Sequence, residues 1–343
     1  MCERHSFILT RAGKVLHGLG ITDSHTEIRE LHGLHHTNDK VNAYEWQPPK
    51  GWPETDWTAG LKKDNEVFVP KSSHLQAMER HVKKLYPDLA TWEAGDQPQP
   101  LSKPENEIAD KLIADSRYIT VPEVTLLNGQ VVPSFRVAQF PMSRADNAIP
   151  ISVAAELPWH SIDYRTAGIV SKRVGLKLIR ETQWLAIATD IANQDINWTG
   201  GKIGEGDLIQ GIRSGKLSKA QAGYYEPTLK NERTWHQLSN GERIYHFAGN
   251  IYQWIFDDVQ GDENGIVAKP FANDSVSISA PFPSMKRGMG WRPDPGSNWS
   301  GYALIRGGFW RSGARAGAFF LLFDRPDSRN HGVGFRCTLP IGL

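Results

Sequence analysis

The chain has 343 residues, of which 39% are hydrophobic and 22% charged, and its formal net charge is +1. This composition is globular, and the near-neutral total gives no indication of a nucleic-acid or acidic partner. No apolar run reaches the roughly 18 to 20 residues of a membrane helix, and the first residues lack the apolar core of a secretory signal. We therefore expect synthesis in the cytoplasm and no membrane insertion.

The first hundred residues, rich in histidine, are predicted to form an accessory region. Three of these histidines, His32, His35 and His36, lie in "LHGLHHTNDK" (31–40) and raise a zinc hypothesis. Zinc needs three or four converging donors, and no HExxH or CxxC partner is present, so a histidine-rich hairpin or turn is favoured over a metal site. Helical spacing of apolar residues within 72–92 predicts a helix that ends near Pro87.

Residues 101–115 are predicted to be a linker to a second domain over 116–343. The Pro/Gln-rich stretch "GDQPQPLSKPEN" (95–106) is typical of irregular structure. Beyond it, Asn128-Gly129 between two β-rich runs predicts a hairpin, and two helical patterns follow over 162–193, the second beginning near residue 181. The rest is loop-rich, which indicates an α+β fold with short strands and two main helices.

Two polar motifs have competing interpretations. The acidic "FDDVQGDENG" (256–265) lacks the alternating ligand pattern of a calcium loop, so a polar turn is favoured. "GIRSGK" (211–216) has the wrong spacing for a phosphate loop.

The chain has two cysteines, Cys2 and Cys337, too few for a disulfide scaffold, although one pairing between them stays open. We interpret Cys2 as a free thiol and Cys337 as a small buried apolar residue without a redox role.

The C-terminal segment has an unusual charge pattern. Residues 306–336 hold six arginines against two aspartates, and every positive charge after Lys286 is arginine. Nucleic-acid binders usually mix lysine with arginine along one basic face, so a nucleic-acid partner is not expected.

Ordered motifs over about residues 116–337 resemble a known family. "LKLIRETQWLAIA", "NWTGG", "GMGW", "ALIRGGFW" and "VGFRC" are similar to those of the formylglycine-generating enzyme/sulfatase-modifying family. The resemblance implies a C-type lectin-like fold of the formylglycine-generating-enzyme type. The family's oxidases use a pair of closely spaced cysteines near the C-terminus, where this chain has only Cys337, so no catalytic residue is assigned.

The C-terminal segment is more similar to a second branch, the variable proteins of diversity-generating retroelements. Their repeat resembles R-G-G-x-W-x-x-G-A-x-A-G-x-F-x-L and ends in [VI]-G-F-R, which implies a framework that includes Trp310, Phe319, Leu321 and Phe335. In such systems the adenines of asparagine codons are randomised, and the residues between the framework positions are all reachable from an altered AAY codon. These variable slots are Phe309, Arg311, Ser312, Arg315, Phe320, Leu322, Asp324, Arg325, Asp327, Ser328, Arg329, Asn330, His331 and Gly332.

A displayed surface requires exposed variable side chains, where substitutions change stability by less than about 0.5 kcal/mol, on a buried framework. Strand alternation predicts that Phe319 and Leu321 point inward and that Phe320 and Leu322 point outward. Exposed aromatic residues beside arginines have the composition of a protein-binding hot spot.

The sequence thus predicts a non-enzymatic ligand-binding protein without cofactor or metal. Its expected partner is an unknown protein or surface ligand, and the resemblance implies phage or viral receptor binding or cellular display. Oligomerisation and association with a virion stay open. The alternatives are an oxidase relative and a carbohydrate-binding lectin-like module, which would require Ca²⁺.

Overall fold

The computed structural model describes residues 101–339 in full and, before them, the backbone of four strands. β1 (Ser6–Leu9) pairs with β2 (Val15–Gly18), and β3 (His35–Asn38) pairs with β4 (Ala43–Glu45), both antiparallel. The second pair is the hairpin predicted near the histidine cluster. The helix predicted within 72–92, the zinc hypothesis and Cys2 fall outside the described residues. The chain divides into two compact units, residues 1–99 and 100–343.

Helix α1 (Lys103–Ala114) occupies the segment predicted to be a linker, so that prediction is wrong. Ser102 donates from its backbone N–H and its hydroxyl to Glu105 (2.9 and 2.6 Å), and Pro104 lies in the first turn. A proline in the first turn together with a capping box starts a helix instead of ending one. Ala109 is buried in a small apolar cluster that α1 forms with the chain near residue 150.

The predicted α+β class is confirmed. α2 (Tyr164–Arg173) and α3 (Glu181–Ala192) are the two helices expected over 162–193, and α3 begins at the predicted residue. The longest helices of the described part have twelve residues, and none of them is able to cross a bilayer. The remaining strands are β5 (Tyr118–Val121), β6 (Val124–Thr125), β7 (Val131–Val132), β8 (Phe135–Ala138), β9 (Ser143–Arg144), β10 (Pro150–Ile151), β11 (Lys177–Leu178), β12 (Trp235–Gln237), β13 (Arg243–Tyr245), β14 (Tyr252–Ile255), β15 (Ala303–Arg306), β16 (Leu321–Asp324), β17 (Val333–Phe335) and β18 (Cys337–Leu339).

These strands form two four-stranded sheets and three two-stranded ones. The first sheet has the order β11–β18–β8–β5 and is antiparallel, and the predicted hairpin around Asn128-Gly129 is β6–β7. The second has the order β16–β15–β14–β17, in which β14 and β17 are parallel. The other pairs are β9–β10 and β12–β13.

The central strands of the second sheet are covered on both faces. On one face Trp184 of α3 packs against the cluster that contains Leu304 and Leu321. On the other, Tyr164 of α2 meets Trp254 with ring centroids 5.9 Å apart. Because α2 and α3 pack on opposite faces of β14, β15 and β17, these strands are held in place. The loops at the ends of the sheet therefore start from fixed positions.

Candidate functional site

The C-terminal segment leaves the second sheet twice as loops. After β15 the chain turns at Gly307 and Gly308, whose φ angles are +88° and +91°. A Cβ on Gly308 would lie 2.8 Å from the Cβ of Ala316, so glycine is needed there for space as well as conformation. We call residues 309–320 the first loop and residues 325–332, between β16 and β17, the second loop.

The predicted framework side chains are buried. Trp310, Phe319, Leu321 and Phe335 are each at most 1% exposed. Phe319 and Leu321 pack in the α3 cluster and Phe335 in the α2 cluster. Both loops are therefore anchored in the core at each end.

Two wholly buried arginines add anchors whose burial the sequence did not suggest. Arg306 forms a bidentate ion pair with Glu181 of α3, with Nε 2.8 Å from one carboxylate oxygen. Its guanidinium also donates to the carbonyl of Phe319 (3.0 Å). Arg336 donates to Gln253 Oε1 (2.8 Å) and to the backbone carbonyls of Ala138 and Tyr245. Charge-assisted bonds of this kind fix the segment at both ends.

Twelve of the fourteen predicted variable side chains reach solvent. The exposed ones are Arg311, Arg315, Arg325, Arg329, Asn330 and His331, and the half-buried ones are Phe309, Ser312, Leu322, Asp324, Asp327 and Ser328.

Phe320 and Gly332 are buried, so the predicted exposure of these two slots is wrong. Phe320 precedes β16, and its N–H bonds to Gly317 O (3.0 Å) in a turn. The two-residue alternation of a strand therefore begins only at Leu321, which is buried, and continues with Leu322, which is half-buried on the opposite face.

Tyr252 of β14 is a central contact of the first loop. Its ring stacks on Phe309 (4.8 Å between centroids, 21° between planes) and on Phe320 (5.4 Å). The Ser312 hydroxyl donates to Tyr252 Oη (3.1 Å) and accepts the Phe309 N–H (2.9 Å). Burial raises the pKa of Tyr252, so its phenol stays protonated and available for hydrogen bonding. Sequence reasoning missed this residue because only the sheet order brings β14 beside the loop.

The two loops contact each other. A Cβ on Gly332 would lie 2.9 Å from Cδ2 of Phe309, and the rings of Trp310 and His331 have centroids 5.6 Å apart. The structure thus gathers Phe309, His331 and Gly332 around the end of β14.

Three of the predicted arginines have contacts of their own. The Arg315 guanidinium lies 5.0 Å from the Trp291 ring centroid. Arg329 pairs with Asp163, the N-cap residue of α2, at 2.9 Å. In the second loop Arg325 lies 3.8 Å from Asp327.

Three groups of residues bear on the oxidase and lectin alternatives. Burial raises the pKa of Cys337 to about 12, which leaves a protonated thiol beside the Ser171 hydroxyl (3.1 Å) and a poor nucleophile. The acidic run forms the predicted polar turn, in which Asp262 Oδ1 accepts two backbone N–H groups. Within residues 101–339 no group of three or more His, Cys, Asp or Glu side chains is arranged to hold a metal ion.

Several solved structures are similar to this one at low sequence identity. Treponema denticola variable protein 1 is 13% identical with a TM-score of 0.36, over 65% of this chain and 94% of that chain. The Major Tropism Determinant P3c variant is 14% identical with a TM-score of 0.33, over 63% of this chain and 52% of that chain, so this chain spans about half its length. PvdO from Pseudomonas aeruginosa is 14% identical with a TM-score of 0.31, over 65% of this chain and 94% of that chain. No family model and no curated protein matches the chain. With TM-scores this low, these similarities assign neither ligand nor activity.

Proposed function

We propose that this protein is a non-enzymatic recognition protein. Its ligand-binding surface consists of the first and second loops on a C-type lectin-like domain, and a retroelement diversifies the residues of that surface. The partner is a protein or another ligand exposed on a surface.

One observation carries the proposal: accessible and anchored residues alternate within the same short segment. Trp310 is buried between Phe309 and Arg311, which both reach solvent. Buried arginines hold the two ends of the segment. Such an arrangement separates stability from recognition, because side chains that face water are replaced at a cost below about 0.5 kcal/mol.

A display library tests the recognition role. The six exposed slots are randomised in the full chain, and a control library randomises six exposed positions of α1, Lys103, Asn106, Glu107, Ile108, Asp110 and Lys111. Both libraries are selected against the same ten unrelated purified proteins. We expect specific binders from the slot library only, with equal folded yield from both. Equal binder frequencies would contradict the proposal.

The neighbouring DNA tests the diversification. We expect a near-copy of the codons for residues 306–337 that differs at adenines of asparagine codons. A locus without such a copy would leave a binding surface that is not diversified in this way.

A further inference from the structure

The loop of residues 211–219, which we call the basic loop, lies directly against the first loop. The Gly215 N–H donates to Trp310 O (2.7 Å). A Cβ on Gly215 would lie 3.7 Å from Cγ of Arg311. The basic loop contains the "GIRSGK" motif, which has the wrong spacing for a phosphate loop, and it borders the proposed recognition surface.

The basic loop presents cations that have no counter-ion in the described part of the chain. Lys216 and Lys219 are exposed and Arg213 is half-buried. Within residues 101–339 none of the three forms an ion pair. The nearby Glu232 is engaged with the backbone, since its Oε1 accepts the N–H groups of Arg213 (2.8 Å) and Ser214 (2.7 Å).

The two loops that meet here both carry excess positive charge. The basic loop has three cations and the first loop has Arg311 and Arg315, and neither contains an acidic residue, whereas the whole chain has a net charge of only +1. The near-neutral total therefore conceals a local cationic surface. Such a surface attracts anionic partners and repels cationic ones.

We propose that the recognition surface binds acidic protein surfaces and that Lys216 and Lys219 are fixed contacts of the partner. This inference rests on the proposed function, because it assigns a partner class to the same site. Both lysines lie outside the predicted variable slots, so every diversified version of the surface keeps them. The half-buried aromatic pair Phe309 and Tyr252 favours a protein over a sulfated polysaccharide, since aromatic anchors together with arginine are typical of protein interfaces.

The test uses a random twelve-residue peptide library displayed on phage and selected on the immobilised full chain. Clones are kept only if their binding is lost in the Phe309→Ala variant. We expect these clones to carry net negative charge. Lys216→Glu should raise their Kd about fivefold to tenfold, and 0.5 M NaCl should have a similar effect, because surface ion pairs are screened by salt.

Lys111→Glu is the matched control, since Lys111 is exposed on α1 and the substitution changes the net charge equally. It should leave Kd unchanged within about twofold. Lys216→Gln separates loss of attraction from introduced repulsion and should have an intermediate effect. Unchanged thermal unfolding of all three variants shows that the fold is intact.

The outcomes distinguish the two proposals. Clones that depend on Phe309 but carry no charge bias, or that respond equally to Lys216→Glu and Lys111→Glu, would overturn the acidic-partner inference and leave the proposed function standing. If no clone depends on Phe309, the proposed function itself fails. A heparin arm tests the other anionic class: heparin that binds more tightly than every peptide, with the same dependence on Lys216, would overturn the assignment to a protein partner.

Discussion

The C-terminal segment places arginine in two opposite environments. Arg306 and Arg336 are wholly buried and hydrogen-bonded to a carboxylate, an amide or backbone carbonyls. Arg311 and Arg325 are exposed, and the Arg325 side chain forms a long ion pair of 3.8 Å with Asp327. Residue type alone therefore does not distinguish the anchoring arginines from the solvent-facing ones, whereas burial does.

Replacing a buried arginine should have the largest effect. Arg306→Met leaves the Glu181 carboxylate buried without its partner, which should lower the free energy of unfolding by about 3–5 kcal/mol. Arg325→Met, at an exposed position, should change it by less than about 0.5 kcal/mol. Urea denaturation measures both. Because an apolar pair can replace a buried ion pair, Arg306→Met with Glu181→Leu should recover part of the loss, while the Phe319 and Ser277 carbonyls stay without their donor. Equal effects of the two single variants would contradict the contrast.

The same contrast between buried and exposed positions applies to two aromatic residues predicted to be variable, Phe320 and Phe309. Phe320 is fully buried, so Phe320→Ala should cost about 3–5 kcal/mol of stability. Phe309 is half-buried, and Phe309→Ala should cost less than half as much. Denaturation of the two variants in parallel checks this. A small effect at Phe320 would restore it as a freely variable slot.

Buried and exposed histidines should differ in how they affect the pH dependence of stability. Burial lowers the pKa of His236 to about 3 and of His246 to about 4. Because the unfolded chain binds protons on both below about pH 6.5 and the folded chain does not, stability falls as the pH drops from 6.5 toward 4, by about 2 kcal/mol per histidine at pH 5. Burial raises the pKa of Asp257 to about 6, so the folded state takes up a proton there and offsets about 1 kcal/mol of this loss.

Unfolding free energies measured between pH 7 and 5 should therefore fall. In His236→Gln, unfolding should take up about one proton fewer, so the unfolding free energy should depend less steeply on pH. The Gln amide still provides a donor for the Ile209 carbonyl. His331→Gln is the control, because His331 is exposed in the second loop. A wild-type stability that is flat over this range would contradict the burial of neutral histidines.

Local signals predicted the elements that local interactions determine. The hairpin at Asn128-Gly129 and the start of α3 at residue 181 were both found, because turn chemistry and helical spacing act over a few residues. The linker prediction is wrong because Pro104 by itself indicates irregular structure, whereas Pro104 together with the capping residue Glu105 starts a helix. The burial of Trp310 followed from the motif, since its position in the repeat is an anchoring one.

The rest of the candidate site depends on contacts between residues that are distant in sequence. Tyr252 and the basic loop join the first loop only through the order of the second sheet and the packing of residues 211–219 on Trp310. Tyr252 has no local pattern that marks it, and the "GIRSGK" motif of the basic loop does not indicate this contact. The burial of Phe320 depends on where β16 begins, and element boundaries are the least reliable part of a pattern-based prediction.

The smallest expected effect concerns two predicted slots that share one space. Gly332→Ala would place a methyl group 2.9 Å from the Phe309 ring, which should cost about 1–3 kcal/mol of stability by overpacking. In a Phe309→Ala background the same change should cost less than about 0.5 kcal/mol. A double-mutant cycle by urea denaturation measures the difference. Additive effects would mean that the two positions accept substitutions independently. Coupled effects would mean that a large side chain at 309 requires a small one at 332, so that the proposed diversification of this surface would be limited to compatible pairs at these two positions.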